Sequence, residues 1–549
     1  MRNRKIIIII SGEIACGKSS ICQGLEKHHF FKQFSTRKVL EDCYSAENGG
    51  KLPEDRSLLQ KFGEAKDKNT DGRWVLNQLH DSLIPENRII IDSARIPQQI
   101  AAFRRAYGDA VCHIHLKCPR EIRLKRFVER GRASDKFKTY DEAVEKFEFY
   151  SKDKTEMQVK DLEQISDLVV HTEDTAIPDD HVVRISAFLR ILPNIHTQNV
   201  DVVVGGQFGS EGKGQIAAYL APEYSCLVRV GGPNAGHKVY NNPSPDVFHI
   251  IPSGANKNKD SILVIGPGAV ISVEVLLKEI KKFEITPDRL VIDENATIIS
   301  NEDKRIEEEL DKIGSTKQGV GAATANNLFI NRLNADDSFK ARNQDQLKAF
   351  IGSASKIYED MNLKNKKILL EGTQGTFLSI HHGLYPYVTS RETTAGGCLA
   401  EAGLGFGKVR KVVMVVRRYP IRVQNPEGGT SGEFMSKEIT LDEISKRSGH
   451  PLPEMQKIEK TSTTNKNRRI AEFNWRLFRK ACELNTPTDI AFTFSDYISY
   501  ENQSARRYNQ LTPETMRFIE ELERCAEVPV SLIATRFSYR SIIDKRNWI

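Results

Sequence analysis

Residues 202–214, VVVGGQFGSEGKG, run from an apolar strand straight into a glycine-rich loop carrying Glu211 and Lys213. Few patterns restrict a fold as tightly. Glycines let backbone N–H groups close around an anion, and a lysine adds a point charge. The predicted unit is strand, phosphate loop, helix, which belongs to α/β folds with loops at the carboxyl ends of parallel strands. Gly209, Gly212 and Gly214 are the candidate phosphate contacts, with Glu211 and Lys213 beside them. The loop is not a Walker A sequence, which spaces its first glycine four residues from Gly-Lys-Ser/Thr.

A full Walker A match lies near the start of the chain. Strand Lys5–Ser11 leads into Gly12-Glu-Ile-Ala-Cys-Gly17-Lys18-Ser19. Lys18 would reach the β- and γ-phosphates of ATP, and the Ser19 hydroxyl would hold Mg²⁺. Two such loops in 549 residues predict two P-loop-type three-layer α/β modules with mainly parallel central sheets. Their expected limits are residues 1–190 and 199–549, with a turn-rich seam that holds a short helix over Val182–Leu192.

Composition excludes several classes. Hydrophobic residues at 39% and charged residues at 28% describe a globular chain. A net charge of +7 is thinly spread and gives no case for nucleic-acid binding. No apolar run approaches the roughly 18–20 residues that span a bilayer, so no membrane partner is expected. Nine cysteines without a CxxC pair fit a reducing, cytoplasmic setting.

In the first module, strand Arg88–Ile91 ends in Asp92, placed for a magnesium-linked or acceptor-binding carboxylate or for a helix cap. Arg120, Arg123, Lys125, Arg126, Arg130 and Arg132 form a basic helix and turn. This run resembles the arginine-rich lid of the nucleotide-kinase group of P-loop proteins, or else is a solvated helix face. Arg37, in Ser35-Thr36-Arg37, is the candidate for an acceptor phosphate. The resemblance implies a nucleotide kinase using ATP and leaves its acceptor open.

In the second module several motifs follow one another in order. Gly231-Gly-Pro-Asn234-Ala-Gly236-His237 is followed by Gly314-Ser-Thr316-Lys-Gln-Gly319 and Glu371-Gly-Thr-Gln374-Gly375. Then come Tyr385-Pro-Tyr-Val-Thr389-Ser390, Ser462-Thr463-Thr464-Asn-Lys466-Asn-Arg468, and Thr493-Phe494-Ser495-Asp496. With the Glu211-Gly-Lys213-Gly loop, they resemble adenylosuccinate synthetase, the ligase that joins L-aspartate to a 6-oxopurine nucleotide with GTP hydrolysis. The resemblance implies Mg²⁺ at the Gly236 carbonyl and the residue at position 210. It also implies a His237 imidazolium beside the migrating phosphoryl group. Gln374 would touch the purine or ribose side, and Asn234 and Thr389 the acceptor. Thr316 would hold phosphate or aspartate; Thr464, Lys466 and Arg468 would fix the aspartate carboxylates. Asp496 would read the guanine of GTP, with ATP as the alternative donor because Phe494 replaces the family's lysine. A homodimer is implied, each subunit completing its neighbour's acceptor site with an arginine, for which Arg332 is the candidate.

Ser210 is the departure with consequences. The family's loop begins with an aspartate that removes the N1 proton of the purine; a serine is a poor base near pH 7. Gly-Ser in this loop is shared by the 2-aminoadenylosuccinate synthetases of phages, whose acceptor is dGMP. Gln207–Ser210, Pro233–His237, Pro386–Arg391, Pro420–Val423 and Gly428–Gly432 resemble that group further. A short hydroxyl leaves room for a guanine 2-amino group. The expected acceptor is therefore dGMP or GMP. An IMP or dIMP ligase with Ser210 compensated, and a catalytically reduced nucleotide sensor, remain open.

Overall fold

The computed structural model describes residues 4–49, 56–130, 137, 139–152, 154–173, 178–192, 194–309, 315–460, 467–538 and 540–546. The chain divides into two compact units, Met1–Leu192 and Pro193–Ile549.

The first unit is built on β1 (Ile6–Gly12), β2 (Lys32–Ser35), β3 (Arg88–Asp92), β4 (Val111–Lys117) and β5 (Leu168–His171), in the order β2-β3-β1-β4-β5. All pairs are parallel. The run of isoleucines fits a central strand covered on both faces. Ile8 and Ile10 pack with Cys22, Leu25 and Ile185, whereas Ile7 and Ile9 pack with Trp74, Leu79 and Phe103. β1 ends at the Walker loop, followed by α1 (Lys18–His29). The second helix of interest, α2 (Thr36–Glu47), follows β2 directly. The expected Val182–Leu192 helix instead runs Pro178–Phe188. Pro178 suits a first helical position, and Asp179 and Asp180 complement the positive helix end.

The second unit holds a ten-stranded sheet. Its centre is β6 (Val200–Gly205), parallel to Ile368–Glu371 on one side and Val409–Arg417 on the other. Val202 and Val204 join one core and Val203 the other, which gives the helix–sheet–helix layering. Only the edge strand Ile542–Asp544 runs antiparallel among the described residues of this sheet. A small antiparallel sheet pairs Ile421–Val423 and Glu438–Ile439 with Arg468–Ala471. Among the described residues, no helix is long and apolar enough to cross a membrane.

One buried polar cluster in the first unit has a pH signature. Ser11 Oγ lies 2.7 Å from His113 Nε2 and 2.9 Å from His115 Nδ1. Burial pushes both imidazoles from 6.5 down to about 4. Below pH 6.5 the unfolded chain therefore binds two protons that the folded unit refuses until about pH 4. Stability is full above pH 6.5 and falls as pH drops toward 4. Urea unfolding of the first unit from pH 7 to 4.5 should show a slope approaching about two protons. The slope should shrink in His115→Asn. An unchanged slope in that variant would show that the cluster does not set the acid sensitivity.

Candidate functional site

The glycine loop after β6 is braced from within. Glu211 is fully buried, and its Oε1 accepts from the backbone N–H of Gln207 (3.1 Å) and Gly209 (2.8 Å). Its Oε2 pairs with Lys213 Nζ at 2.6 Å, and its carbonyl accepts from Thr493 Oγ1 at 2.5 Å. Gly205 and Gly375 permit the approach: a Cβ on either would sit within 2.6 Å of a Glu211 carboxylate oxygen. This corrects the expectation that Glu211 touches nucleotide. A carboxylate aimed at a phosphate would repel it, and here the charge is spent on the loop itself. Ser210 takes a left-handed φ of 57° and is exposed. Together with Gly209, Gly212, Lys213 and Gly214 it lines a cavity of about 490 Å³.

Asn234, Gly236, His237, Thr316, Gln374, Thr389 and Arg468 line the same cavity. Asn234 Oδ1 is buried there without a hydrogen-bond partner. His237 is bonded through Nδ1 to Glu371, which also accepts from Ser253 N–H (2.8 Å) and Oγ (2.5 Å) and pairs with Arg229 at 3.3 Å. Burial and Arg229 push the His237 imidazole down to about 4 against the pull of Glu371. Glu371 feels burial in the opposite sense, but Arg229 and His237 hold its carboxyl at about 2. Without a bound anion the imidazole is therefore neutral near pH 7, not the expected imidazolium. An ionised Glu371 only accepts, so the proton sits on Nδ1 and Nε2 carries a lone pair. Gln374 is held as firmly: Nε2 donates to Thr389 Oγ1 (2.8 Å), and Oε1 accepts from Arg391 Nη1 (3.4 Å).

Arg468 shares Glu459 with Arg417. Glu459 accepts from Arg417 at 2.5 Å and from Arg468 at 2.9 Å. Arg417 also donates to the Ser210 carbonyl at 3.3 Å and stacks on Phe494 at 3.9 Å. The guanidinium of Arg468 keeps further N–H groups for a ligand. Four expected residues stand elsewhere or beyond view. Asp496 is buried but does not line the cavity; Oδ2 meets Gln503 (3.1 Å) and His450 (3.4 Å), and Oδ1 is unpaired. Thr464 and Lys466 lie outside the described residues. Arg332 is exposed on the Ile330–Leu333 helix and contributes nothing to its own cavity.

In the first unit a cavity of about 640 Å³ is lined by Gly17, Lys18, Ser19, Arg37, Asp92 and Arg130. Gly12 stands back from it, its carbonyl accepting from Lys18 Nζ at 2.5 Å, while Glu13 O accepts at 2.9 Å. Glu156 also lines this cavity and accepts from the Ile14 N–H at 3.1 Å. Arg132 lies outside the described residues.

A model of the adenylosuccinate synthetase family matches residues 202–341 and 333–502. The chain belongs to the adenylosuccinate synthetase family. The synthetase of Methanocaldococcus jannaschii is 36% identical over 356 residues, which span 63% of this chain and 96% of that one. The synthetase of Pyrococcus horikoshii is 32% identical over 358 residues, with 63% and 99% spanned. The fully ligated synthetase of Plasmodium falciparum shares the fold, at 22% identity, a TM-score of 0.55, and coverage of 63% of this chain and 100% of that one. Succinoaminodeoxyadenylate synthetase of cyanophage S-2L, solved with dGMP and with dATP as an energy donor, is 26% identical with a TM-score of 0.51. That match covers 63% of this chain and 95% of that one. An AAA domain model matches residues 8–148, which makes the first unit a P-loop domain. The second unit is thus an adenylosuccinate synthetase-like C–N ligase, of a family that acts on a purine nucleotide and aspartate.

Sequence reasoning gave Glu371, Arg391, Arg417 and Glu459 no role. Glu371 carried a signal, an acid that ends the apolar strand Ile368–Glu371. Glu459 carried none, because its partners lie 42 and 9 residues away. The Glu211 brace is open to test. Glu211→Gln leaves Lys213 buried without its counter-charge and should cost about 3–5 kcal/mol of stability. Denaturant unfolding of the second unit would measure it, and an unchanged midpoint would refute the brace.

Proposed function

We propose that the second unit joins L-aspartate to C6 of a guanine-type nucleotide, dGMP or GMP, and yields a 2-aminoadenylosuccinate at the expense of a nucleoside triphosphate. The observation that carries this reading is Ser210. It stands exposed on the cavity wall at the start of the phosphate loop, where a carboxylate would fill the space beside purine C2 and repel an electron-rich acceptor. The likeness to a synthetase solved with dGMP supports it.

The 6-oxygen of the acceptor attacks the γ-phosphorus and the nucleoside diphosphate leaves. The aspartate amine then displaces the 6-phosphoryl group as inorganic phosphate. Lys213 and the loop N–H groups bind phosphate, and Gln374, fixed by Thr389 and Arg391, orients the purine. Thr316 and Arg468 bind anionic ends of acceptor and aspartate. Ser210 is no base, so the unprotonated Nε2 of His237 receives the N1 proton, its basicity rising as phosphoryl charge gathers beside it. Mg²⁺ fits the donor set: Gly236 O and Ser210 Oγ are hard oxygens beside a phosphate site, and magnesium is held largely by nucleotide phosphates. It would supply charge neutralisation to the transferring phosphoryl group.

The buried, unpaired Oδ1 of Asp496 favours GTP as donor, because it would accept from guanine N1–H and N2–H. ATP is the second reading, favoured by the dATP donor of the phage relative and by Phe494. A homodimer suits the surface around Arg332, where Leu328, Phe329, Ile330 and Leu333 are 67%, 67%, 45% and 72% exposed. The first unit is read as a nucleotide kinase using ATP, with Ser19 on Mg²⁺. It would either make the ligase's acceptor or phosphorylate its product.

The test is a panel of IMP, dIMP, GMP and dGMP with aspartate and either GTP or ATP, followed by mass spectrometry. A succinyl adduct should form with the guanine acceptors. An adduct with IMP alone overturns the guanine reading, and no adduct with any pairing overturns the ligase. Ser210→Asp should move the kcat/KM ratio toward IMP by about tenfold or more. Unchanged selectivity would remove Ser210 from the argument.

A further inference from the structure

One wall of the cavity in the second unit carries a hydrogen-bond chain whose direction is set behind that wall. The chain starts at Arg391, which is buried against Glu401. Arg391 Nε donates to Glu401 Oε1 at 2.6 Å, and Nη2 lies 2.6 Å from Oε2. Nη1 turns the other way. It donates to Thr373 Oγ1 and, at 3.4 Å, to Gln374 Oε1. Thr373 Oγ1, having accepted from Arg391, donates to the same Oε1 at 3.4 Å. Gln374 Nε2 then donates to Thr389 Oγ1 at 2.8 Å. Gly231, with a left-handed φ of 95°, makes room for the crossing, because a Cβ there would run into Thr373 Oγ1 and Arg391 Nη1.

A guanidinium only donates, so Gln374 has to meet Arg391 with its amide oxygen. The amide nitrogen therefore faces Thr389 and the cavity, which both residues line. One of its N–H groups is used on Thr389, and the other has no acceptor among the described residues. Thr389 Oγ1 accepts in this chain, so its own O–H is also left for a ligand. The reversed amide would set N–H groups against the donors of Arg391 and Thr373 and turn an oxygen to Thr389. Arg391 excludes that arrangement.

We infer that Arg391 is a positioning residue for the acceptor. By orienting Gln374 it makes this wall a wall of donors, and the ligase thereby takes purine monophosphates with an oxygen at C6 and refuses those with an amino group there. The inference rests on the proposed reaction, in which Gln374 lies against the purine. An N–H aimed at position 6 meets the lone pairs of a carbonyl oxygen. Against a 6-amino group it meets hydrogens and stays unpaired, and an unpaired buried donor is more costly than a lost contact. Sugar and 5′-phosphate are common to both classes, so the groups that bind them cannot make the distinction. The reaction itself places nitrogen at C6, so the 6-amino class is the one that accumulates beyond it.

The full-length protein would be assayed with aspartate, a triphosphate and each acceptor that gives a succinyl adduct, with 6-aminopurine monophosphates as competitors. GMP is paired with 2,6-diaminopurine riboside monophosphate, and IMP with AMP, so that the 2-substituent is constant within a pair. In the unaltered protein the competitor's inhibition constant should exceed the acceptor's KM by about tenfold or more. Arg391→Met is made together with Glu401→Gln, so that no buried carboxylate is stranded. It should cut that ratio to about threefold or less, with KM for aspartate and triphosphate within about twofold. Arg391→Lys keeps a donor and a charge and should restore part of the ratio. Gln374→Glu leaves the Arg391–Glu401 pair intact, turns an oxygen to the cavity, and should favour the 6-amino competitor. No preference in the unaltered protein, a ratio unmoved in the double variant, or equal losses for aspartate and triphosphate would overturn the role of Arg391. If the double variant does not fold, an unchanged ratio in Gln374→Glu overturns it instead. An adduct with IMP alone removes the guanine reading and leaves the IMP–AMP pair to decide this inference, whereas no adduct with any acceptor removes both.

Discussion

The second unit depends on one buried ion pair, Glu211 with Lys213. Glu211 gathers two N–H groups of its own loop and the ammonium of the first helical residue after it. The turn between β6 and the following helix is therefore fixed before any ligand arrives. Removing two charges from water is expensive, and the pair is tolerable only because the remaining lone pairs of the carboxylate are also satisfied. Thr493 Oγ1 on the Glu211 carbonyl extends the brace to a neighbouring strand end. Pre-organisation of this kind lets binding energy go to the phosphates rather than to ordering the loop.

The same device recurs around the cavity. Glu371 orients His237, Glu459 joins Arg417 to Arg468, and Glu307 collects the N–H groups of Gly319 (2.8 Å) and Gly321 (2.5 Å) at the start of the Val320–Leu328 helix. Each acid is spent on backbone N–H groups, on the His237 imidazole or on an arginine of the wall or behind it. What faces the ligand space is then a surplus of N–H groups, Lys213 and arginine. A cavity built this way attracts a triphosphate, a monophosphate and a dicarboxylate together without carrying a free carboxylate to repel them.

The phosphate loops, the two α/β sheets and most of the cavity wall were legible in sequence, because glycine spacing and apolar runs are local signals. Asn234, Gln374 and Thr389, far apart in the chain, line one cavity. What stayed hidden depends on distance in the chain or on burial. Glu211 reads as a phosphate neighbour until its hydrogen bonds show it turned inward. The neutral state of His237 follows from burial beside Arg229, which no motif encodes. The Pro178–Phe188 helix was misplaced because the apolar residues that mark its face extend past its end.

The two phosphate loops also differ in how they keep their lysine. Lys18 rests on two carbonyls of its own loop, so an incoming phosphate trades neutral dipoles for a full charge. Lys213 already has a carboxylate, and a phosphate must share it. The first arrangement makes the lysine a strong but exchangeable contact for a nucleotide that comes and goes. The second makes it a strut whose charge is partly neutralised. Phosphoryl stabilisation in the second unit must then draw more on the loop N–H groups and the other cations of the wall. That division explains why a serine can stand at the head of this loop without undoing phosphate binding. The loop backbone is fixed by Glu211, not by the side chain at position 210.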